Sequence, residues 1–313
     1  MPNFNKQDLS KQASELGFIR DTFEKVHRLS NILNFINRDP LLSQRLALKG
    51  GTAINLTIFD LPRLSVDIDL DYSINNDRDS MMTDREQITE LIKRYMNMEG
   101  YEMSSKSKTY HSLDSFVFAY INAGGMKDNI KIELNYSLRC HVLPLEKRPI
   151  ETLSVFNPTQ VISLAPIEIF GSKIVALLSR AAARDLYDIN NMLSFGLFDE
   201  SQEELLRKCV VFYIAIGSET VPETLNLSRI DSITNHKIRT DLYPVISKNE
   251  KFELATVQKR VKEYLSELLV LTDDETQFLD AFREKDYRPE LLFSGEVLER
   301  IKNHPMALWK MRQ

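Results

Sequence analysis

Phe18, Phe23, Val26, Leu29, Leu33 and Ile36 fall at helical spacing and predict helix over residues 7–38, broken near Gly17 and stopped by Asp39-Pro40. The short apolar segment 45–49 then runs as a strand into Gly50-Gly51-Thr52. Residues 53–59 are apolar enough for a buried helix, closed by the turn Leu61-Pro62-Arg63. At 65–72 the period changes to two: Asp67, Asp69 and Asp71 share one face, while Val66, Ile68, Leu70 and Tyr72 share the other. A helix around 83–98 precedes two strands, about 115–122 and 129–137, which the Gly124-Gly125 turn joins as an antiparallel hairpin. From Pro166 the pattern is helical over 166–180, 185–195, 201–216, 256–270 and 272–284; residues 221–254 are poorly patterned, and no internal repeat is present. The change near residue 160 predicts an α/β (α+β) chain. A mixed-sheet core with flanking helices occupies 1–160, and a helical domain occupies 161–313.

Composition narrows the class of protein without changing that picture. Of 313 residues, 43% are hydrophobic and 27% charged, the balance of a globular chain able to bury a core. No apolar run approaches the ~20 residues a membrane helix needs. The polar start MPNFNKQDLSKQ has no apolar signal core. Cys140 and Cys209 are too few for a disulfide framework or a zinc site, which fits a reducing compartment and a cytoplasmic protein. The net charge of −5 argues against a surface coated for nonspecific duplex binding, but not against a local basic groove or a metal-neutralised carboxylate site.

Candidate chemistry gathers at two places in the first half. Gly50-Gly51-Thr52, between a strand and a helix, presents backbone N–H groups at the partly positive helix start, where phosphate oxygens bind. Alone, a Gly-Gly turn is ordinary turn chemistry. The pair Asp67 and Asp69 says more, because two carboxylates on one face of an apolar strand need either solvent or a cation. Mg²⁺ takes hard oxygen ligands, usually one or two carboxylates plus substrate phosphates. Glu133, alternating with Ile132 and Leu134, can stand on the same sheet face. Three carboxylates beside a phosphate-binding turn fit a phosphoryl-transfer site of the two-metal kind. Asp71 reads as a peripheral or structural carboxylate. The histidines form no cluster, and His304-Pro305 with Trp309 reads as packing of a carboxy-terminal helix.

The stretches Lys49-Gly-Gly-Thr-Ala-Ile-Asn-Leu and Arg63-Leu-Ser-Val-Asp-Ile-Asp-Leu70 resemble the AbiEii/AbiGii toxin family of nucleotidyltransferases, relatives of the MenT toxins. So do Lys131-Ile-Glu-Leu-Asn, Lys173-Ile-Val-Ala-Leu-Leu-Ser-Arg180 with Arg184-Asp-Leu-Tyr-Asp188, and His304-Pro-Met-Ala-Leu-Trp-Lys310. Together they span most of the chain from about residue 40 to 311. The resemblance implies a nucleotidyltransferase-like core. It also implies that Asp67 and Asp69 bind metal, and that Lys173 and Asp188 complete the nucleotide site. On the residues alone, Lys173 reads as an exposed helix lysine. On one continuous helix Lys173 and Asp188 would lie about 22 Å apart, so a shared site requires a break between them. Asp185 is a candidate N-cap for the new helix, with Arg184 and Asp188 close enough to pair across its start. Arg184, beside Arg180, is a candidate for nucleotide or RNA, against a solvated helix face.

These readings lead to an Mg²⁺-dependent transfer of a nucleotide from an NTP to RNA, with two metal ions at Asp67, Asp69 and Glu133. The resemblance implies a bacterial toxin of a toxin–antitoxin or abortive-infection (phage-defence) system, with tRNA as acceptor and a cognate antitoxin. The expected protein is a monomer with no membrane association. A protein hydroxyl or a small molecule such as an antibiotic remains an alternative acceptor, mildly favoured by the net acidity. A non-catalytic module would require a broken carboxylate set, and Asp67, Asp69 and Glu133 are all present. The helical half is further expected to fold against the sheet, with Lys173 and Asp188 facing Asp67 and Asp69 across a cleft.

Overall fold

Gly17 ends the first helix in the left-handed conformation (φ 76°), which a residue without Cβ adopts without strain. The predicted break thus separates α1 (Lys6–Leu16) from α2 (Arg20–Arg38). Asp39 then caps α3 (Pro40–Arg45) by accepting from the amides of Leu41 and Leu42. The computed structural model describes residues 4–150, 156 and 159–313. These fall into two compact units. The first comprises Met1–Arg139, Leu145–Leu164 and Pro244–Glu250; the second comprises Cys140–Pro144, Ala165–Tyr243 and Lys251–Gln313.

The first unit is built on one mixed sheet. Its strands are β1 (Leu46–Lys49), β2 (Asp67–Tyr72), β3 (Glu102–Met103), β4 (Lys108–Thr109), β5 (Leu113–Ile121), β6 (Lys127–Asn135), β7 (Glu146–Ile150) and β8 (Thr159–Ser163). The order is β3-β5-β6-β2-β1-β8-β7, with β4 also on β5. β2 runs antiparallel to β1 and parallel to β6, and β5–β6 is the predicted hairpin. Between β1 and β2 lies α4 (Gly50–Ala53), which widens into a π-turn over Ile54–Ile58. The helical segment thus includes the glycines, with Gly50 itself left-handed (φ 68°) at its entry.

α5 (Arg78–Met98) starts five residues ahead of the predicted 83, because Asp77 caps it through the Ser80 amide. Its inward face is Met81, Ile88, Ile92 and Met96. Among the described residues of this unit, two ion pairs with both side chains buried tie elements together. Glu24 binds Arg28 and also accepts from the Ala123 amide of the hairpin, while Arg85 binds Asp114 and the carbonyls of Tyr110 and His111.

The second unit is helical. Its elements are α6 (Pro166–Arg180), α7 (Ala183–Ser194), α8 (Glu200–Gly217), α9 (Asn235–Lys237, continuing as a π-turn to Leu242), α10 (Leu254–Leu268), α11 (Asp273–Arg283), α12 (Gly295–Ile301) and α13 (Pro305–Met311). Capping boxes at Asp199/Gln202 and Thr272/Glu275 start α8 and α11. No helix among the described residues is long and apolar enough to cross a membrane. Cys140 and Cys209 are both free thiols and buried. His304 sits at the cap of α13, its ring on the carbonyl of Cys140.

Two short segments belong to the unit opposite to their sequence neighbours, for identifiable reasons. Cys140–Pro144 joins the helical unit because the fully buried Glu168 of α6 accepts from the amides of Val142 (2.8 Å) and Leu143 (3.0 Å). Pro244–Glu250 joins the sheet unit as a strap. Val245 accepts from the Leu64 amide at 2.7 Å, Ile246 bridges to Arg63, and the Lys248 amide donates to Gly17.

Glu168 also accepts from the Tyr213 hydroxyl, and His141 Nδ1 lies 3.6 Å away. Burial works to raise its carboxyl pKa, but His141, Tyr213 and the Leu143 amide outweigh burial and hold it below the ordinary 4.5. A depressed folded pKa contributes stability that is complete above the unfolded value and is lost as pH falls through the folded one. Glu168→Gln should therefore cost about 2 kcal/mol at pH 7, the scale of a hydrogen bond to a charged group. Thermal melts should show the gap to wild type narrowing below pH 4.5; a gap that stays constant across that range would contradict this role.

Candidate active site

The period-two pattern of β2 sorts its side chains onto two faces. Ile68, Leu70 and Tyr72 are buried on one, and Asp67 and Asp69 stand on the more open other. The parallel neighbour β6 places Glu133 in register with Asp69, and Lys131 in register with Asp67. Glu133 therefore lies beside the two aspartates on the same sheet face. On the opposite flank, Lys49 of β1 is in register with Asp69.

The glycine turn packs directly on this face. Gly50 has φ 68°, and a Cβ there would meet Asp69 Oδ2 at 2.6 Å. A Cβ on Gly51 would meet Arg63 Nη2 at 2.6 Å. Both positions thus need glycine, the first for conformation and space, the second for space. Gly50→Ala adds left-handed strain of ~1–2 kcal/mol and pushes on the Asp69 carboxylate. On the expectation that the turn receives the phosphates of an NTP, the KM for it should rise at least tenfold with little change in far-UV circular dichroism. An unchanged KM would separate the turn from the nucleotide.

Thr52 is fully buried; its hydroxyl donates to the carbonyl of Asp67 and accepts from the Ser65 hydroxyl at 2.9 Å. The hydroxyl fastens the start of β2 to the turn, so what Thr52 can offer a phosphate is its backbone amide. Asn55 binds the Gly51 carbonyl (2.7 Å) and accepts from the Arg63 amide (3.3 Å), fixing the loop that leads into β2. Arg63 is buried behind the turn, with Nη1 on the Leu64 carbonyl.

The charges on the sheet face are partly balanced within it. Lys49 Nζ lies 2.5 Å from Oδ1 of the fully buried Asp71, which makes Asp71 a structural carboxylate. Lys131 Nζ lies 2.8 Å from Glu133 Oε1. Burial disfavours the Lys131 ammonium, but the hydrogen bond and charge of Glu133, with the charges of Asp67 and Asp69, outweigh it and raise its pKa. Among the described residues, no three His, Cys, Asp or Glu side chains form a group ready to hold a metal ion. What the face does offer is hard oxygen donors from Asp67 and Asp69 beside the glycine turn. That set fits a cation which draws its remaining ligands from phosphate.

Lys173, Arg184 and Asp188 lie in the helical unit. The chain breaks between them as a shared site requires, with Ala181 ending α6 in the left-handed region (φ 47°) and α7 starting at Ala183. Lys173 is not an exposed helix lysine: it is 7% exposed, with Nζ 2.9 Å from Asp185 Oδ1 and 3.2 Å from Asp188 Oδ2. Asp185 does not cap α7, whose N-cap is Ala182. It sits in the first turn instead and also binds Arg180 at 2.7 Å. Burial would raise the Asp185 pKa, but Lys173 and Arg180 lower it on balance. Arg184 Nε donates to the carbonyl of Asp241 at 2.7 Å, and Asp188 forms an ion pair with Lys173.

Asp185 and Lys131 are the residues that the sequence left without these roles. The signal for Lys131 was its i,i+2 spacing to Glu133. For Asp185 it was an acid one turn before Asp188 in a helix start.

MenT4, a nucleotidyltransferase toxin from Mycobacterium tuberculosis H37Rv, is similar in structure, with a TM-score of 0.65 at 19% identity over 92% of this chain and 97% of that one. This likeness extends the fold, a mixed sheet with many helices, to a solved protein. An antigenic nucleotidyltransferase-like protein from Paracoccidioides brasiliensis matches at 16% identity over 80% of this chain and 92% of that one, with a TM-score of only 0.34. No curated protein matches in sequence. The family model described as "Nucleotidyl transferase AbiEii toxin, Type IV TA system" matches residues 34–286. With most of its length matched by that model, the chain belongs to the AbiEii family of nucleotidyl transferase toxins of type IV toxin–antitoxin systems.

Proposed function

We propose that the protein transfers a nucleotide from an NTP to an RNA acceptor, tRNA first among them, in an Mg²⁺-dependent reaction that its cognate antitoxin counteracts. The observation that carries this reading is the placement of Asp67, Asp69 and Glu133 on one face of two adjacent strands, with the glycine turn packed against Asp69. Asp67 and Asp69 would hold the metal, with Glu133 joining them. Bound there, divalent cations would supply the charge that a triphosphate and its departing pyrophosphate require.

The amides of Gly50, Gly51 and Thr52 receive phosphate oxygens. An acceptor hydroxyl oxygen bonds to the α-phosphorus, the bond from that phosphorus to the bridging oxygen breaks, and pyrophosphate leaves with the electron pair. The hydroxyl proton passes to a carboxylate of the face or to water. In this reading Lys173 contributes a fixed positive charge to the phosphates, Asp188 orients it, and Arg184 serves the nucleotide or the RNA.

Incubation with each labelled NTP, Mg²⁺ and total RNA tests the proposal. Label should enter RNA with one or more NTPs and should not do so in EDTA. Label in protein or in a small molecule instead of RNA would transfer the reading to those acceptors, which the net charge of −5 favours over a broadly basic RNA-binding surface. Label in none of them would overturn it.

A further inference from the structure

From Ser104 to Ser112 every residue carries a side-chain hydrogen-bond donor: six hydroxyls, the ammoniums of Lys106 and Lys108, and the imidazole of His111. No acid falls between Glu102 and Asp114, in a chain whose net charge is −5. The stretch includes β4 and borders the outer edge of β5. Lys108 is in register with Ser115, Ser115 with Glu133, and Glu133 with Asp69. Residues paired across strands share a sheet face, so one row runs over four strands from this lysine to the carboxylates. At ~4.8 Å per strand Lys108 stands roughly 10 Å from Glu133, with only the short side chain of Ser115 between them. The stretch is held from beneath. Buried Arg85, paired with Asp114, donates to the carbonyls of Tyr110 (2.7 Å) and His111 (2.8 Å). Ser107 Oγ donates to the Val117 carbonyl and accepts from its amide. Lys106, Lys108 and Tyr110 are nonetheless exposed, Tyr110 by 51%, and among the described residues neither lysine is in an ion pair.

Resting on the reading above that the acceptor is RNA, we propose that residues 104–112 are the surface on which the acceptor's sugar–phosphate backbone lies while its reacting hydroxyl reaches the carboxylates. Lys106 and Lys108 neutralise phosphates, the hydroxyls bond sugar and phosphate oxygens, and Tyr110 offers a ring face to a base. Charge complementarity selects this occupant. A run of donors without a carboxylate suits a ligand that is anionic and rich in acceptors along its whole length. Lysines on a short edge strand also deter a second sheet from pairing there. Either sign of charge meets that duty, and it does not call for nine consecutive donors. Because Arg85 and Val117 already fix the backbone, binding has only side chains to order, which lowers its entropic cost.

Backbone contacts carry no sequence information, so a short single-stranded RNA of mixed sequence serves as the probe. Its binding to the full chain, measured by fluorescence anisotropy over a series of salt concentrations, tests the proposal. Lys106→Gln/Lys108→Gln should weaken binding ~10-fold at low salt and flatten the dependence of log affinity on log salt by about 0.7–0.9 per lysine. Lys106→Arg/Lys108→Arg should bind as wild type. Lys106→Glu/Lys108→Glu, which keeps the edge charged, should bind more weakly than the neutral pair. Tyr110→Ala should weaken binding ~10-fold with the salt slope unchanged, the signature of lost stacking. Affinity for NTP, read without RNA, and the melting temperature should match wild type in every variant. Unchanged affinity and slope in the neutral pair, or wild-type binding by the glutamate pair, would overturn the surface and leave the lysines as guards of the sheet edge. A wild type that does not bind the probe would overturn it as well. Transfer of label to no RNA by wild type would instead overturn the RNA reading itself.

Discussion

Asp69→Ala is expected to leave a folded protein that no longer transfers nucleotide, with turnover reduced at least ~10³-fold, about 4 kcal/mol of transition-state stabilisation. The size follows from position. Asp69 is central to the face, in register with Glu133 on one side and Lys49 on the other, and in contact range of the glycine turn. Its loss removes the wall against which Gly50 packs and, on the proposed reading, an oxygen that would hold the metal. Stability should change little, by less than ~1 kcal/mol, because the side chain is only partly buried and its removal relieves repulsion with Asp67 and Glu133. Transfer of labelled NTP, measured beside a thermal melt, separates the two effects. Full activity in the variant would remove these carboxylates from the reaction.

The second large effect concerns Lys173, and here activity and stability should fall together. Lys173→Met deprives two buried carboxylates of their shared cation, leaving Asp188 without it and Asp185 with Arg180. Breaking a buried pair from one side costs roughly 3 kcal/mol or more. If Lys173 also stabilises the triphosphate, turnover should drop by a further ~10²–10³, typical of losing one transition-state donor. The double variant Lys173→Met/Asp188→Asn resolves the two contributions, since neutralising Asp188 should recover much of the melting temperature. Activity that returns with stability would make the lysine a structural cation. Activity that stays low would assign it to the reaction.

Much of this architecture is readable from local pattern. The period-two run through Asp67 and Asp69, the hairpin turn at Gly124-Gly125 and the helix over 166–180 are all specified by side-chain alternation or helical spacing within a few residues. What escaped the sequence depends on partners far along the chain. β7 carries charges and Pro149, as an edge strand tolerates, and β8 is five residues long, so neither has a strong signature until each pairs. The burial of Lys173 is likewise invisible locally. Its spacing suits a solvated helix face, and only the left-handed turn at Ala181 brings Asp185 and Asp188 back to it. Glu133 was legible as to face but not as to its bond with Lys131, because alternation gives orientation and not which neighbour a carboxylate prefers.

The strap Pro244–Glu250 has a consequence for the order in which the molecule is made. The loop that leads into β2 is held by Val245 and Ile246, about 180 residues downstream of Leu64 and Arg63, and the strap ends about four-fifths of the way along the chain. Synthesis proceeds from the amino terminus, and domains that are contiguous in sequence can fold as they emerge. The sheet unit here is not contiguous. It cannot complete the support of its own DxD loop until most of the helical unit has left the ribosome, and closing so long a loop is a slow, non-local step. A nascent or truncated chain ending before residue 244 thus carries every predicted metal ligand and the whole glycine turn, yet lacks the segment that fixes the approach to Asp67.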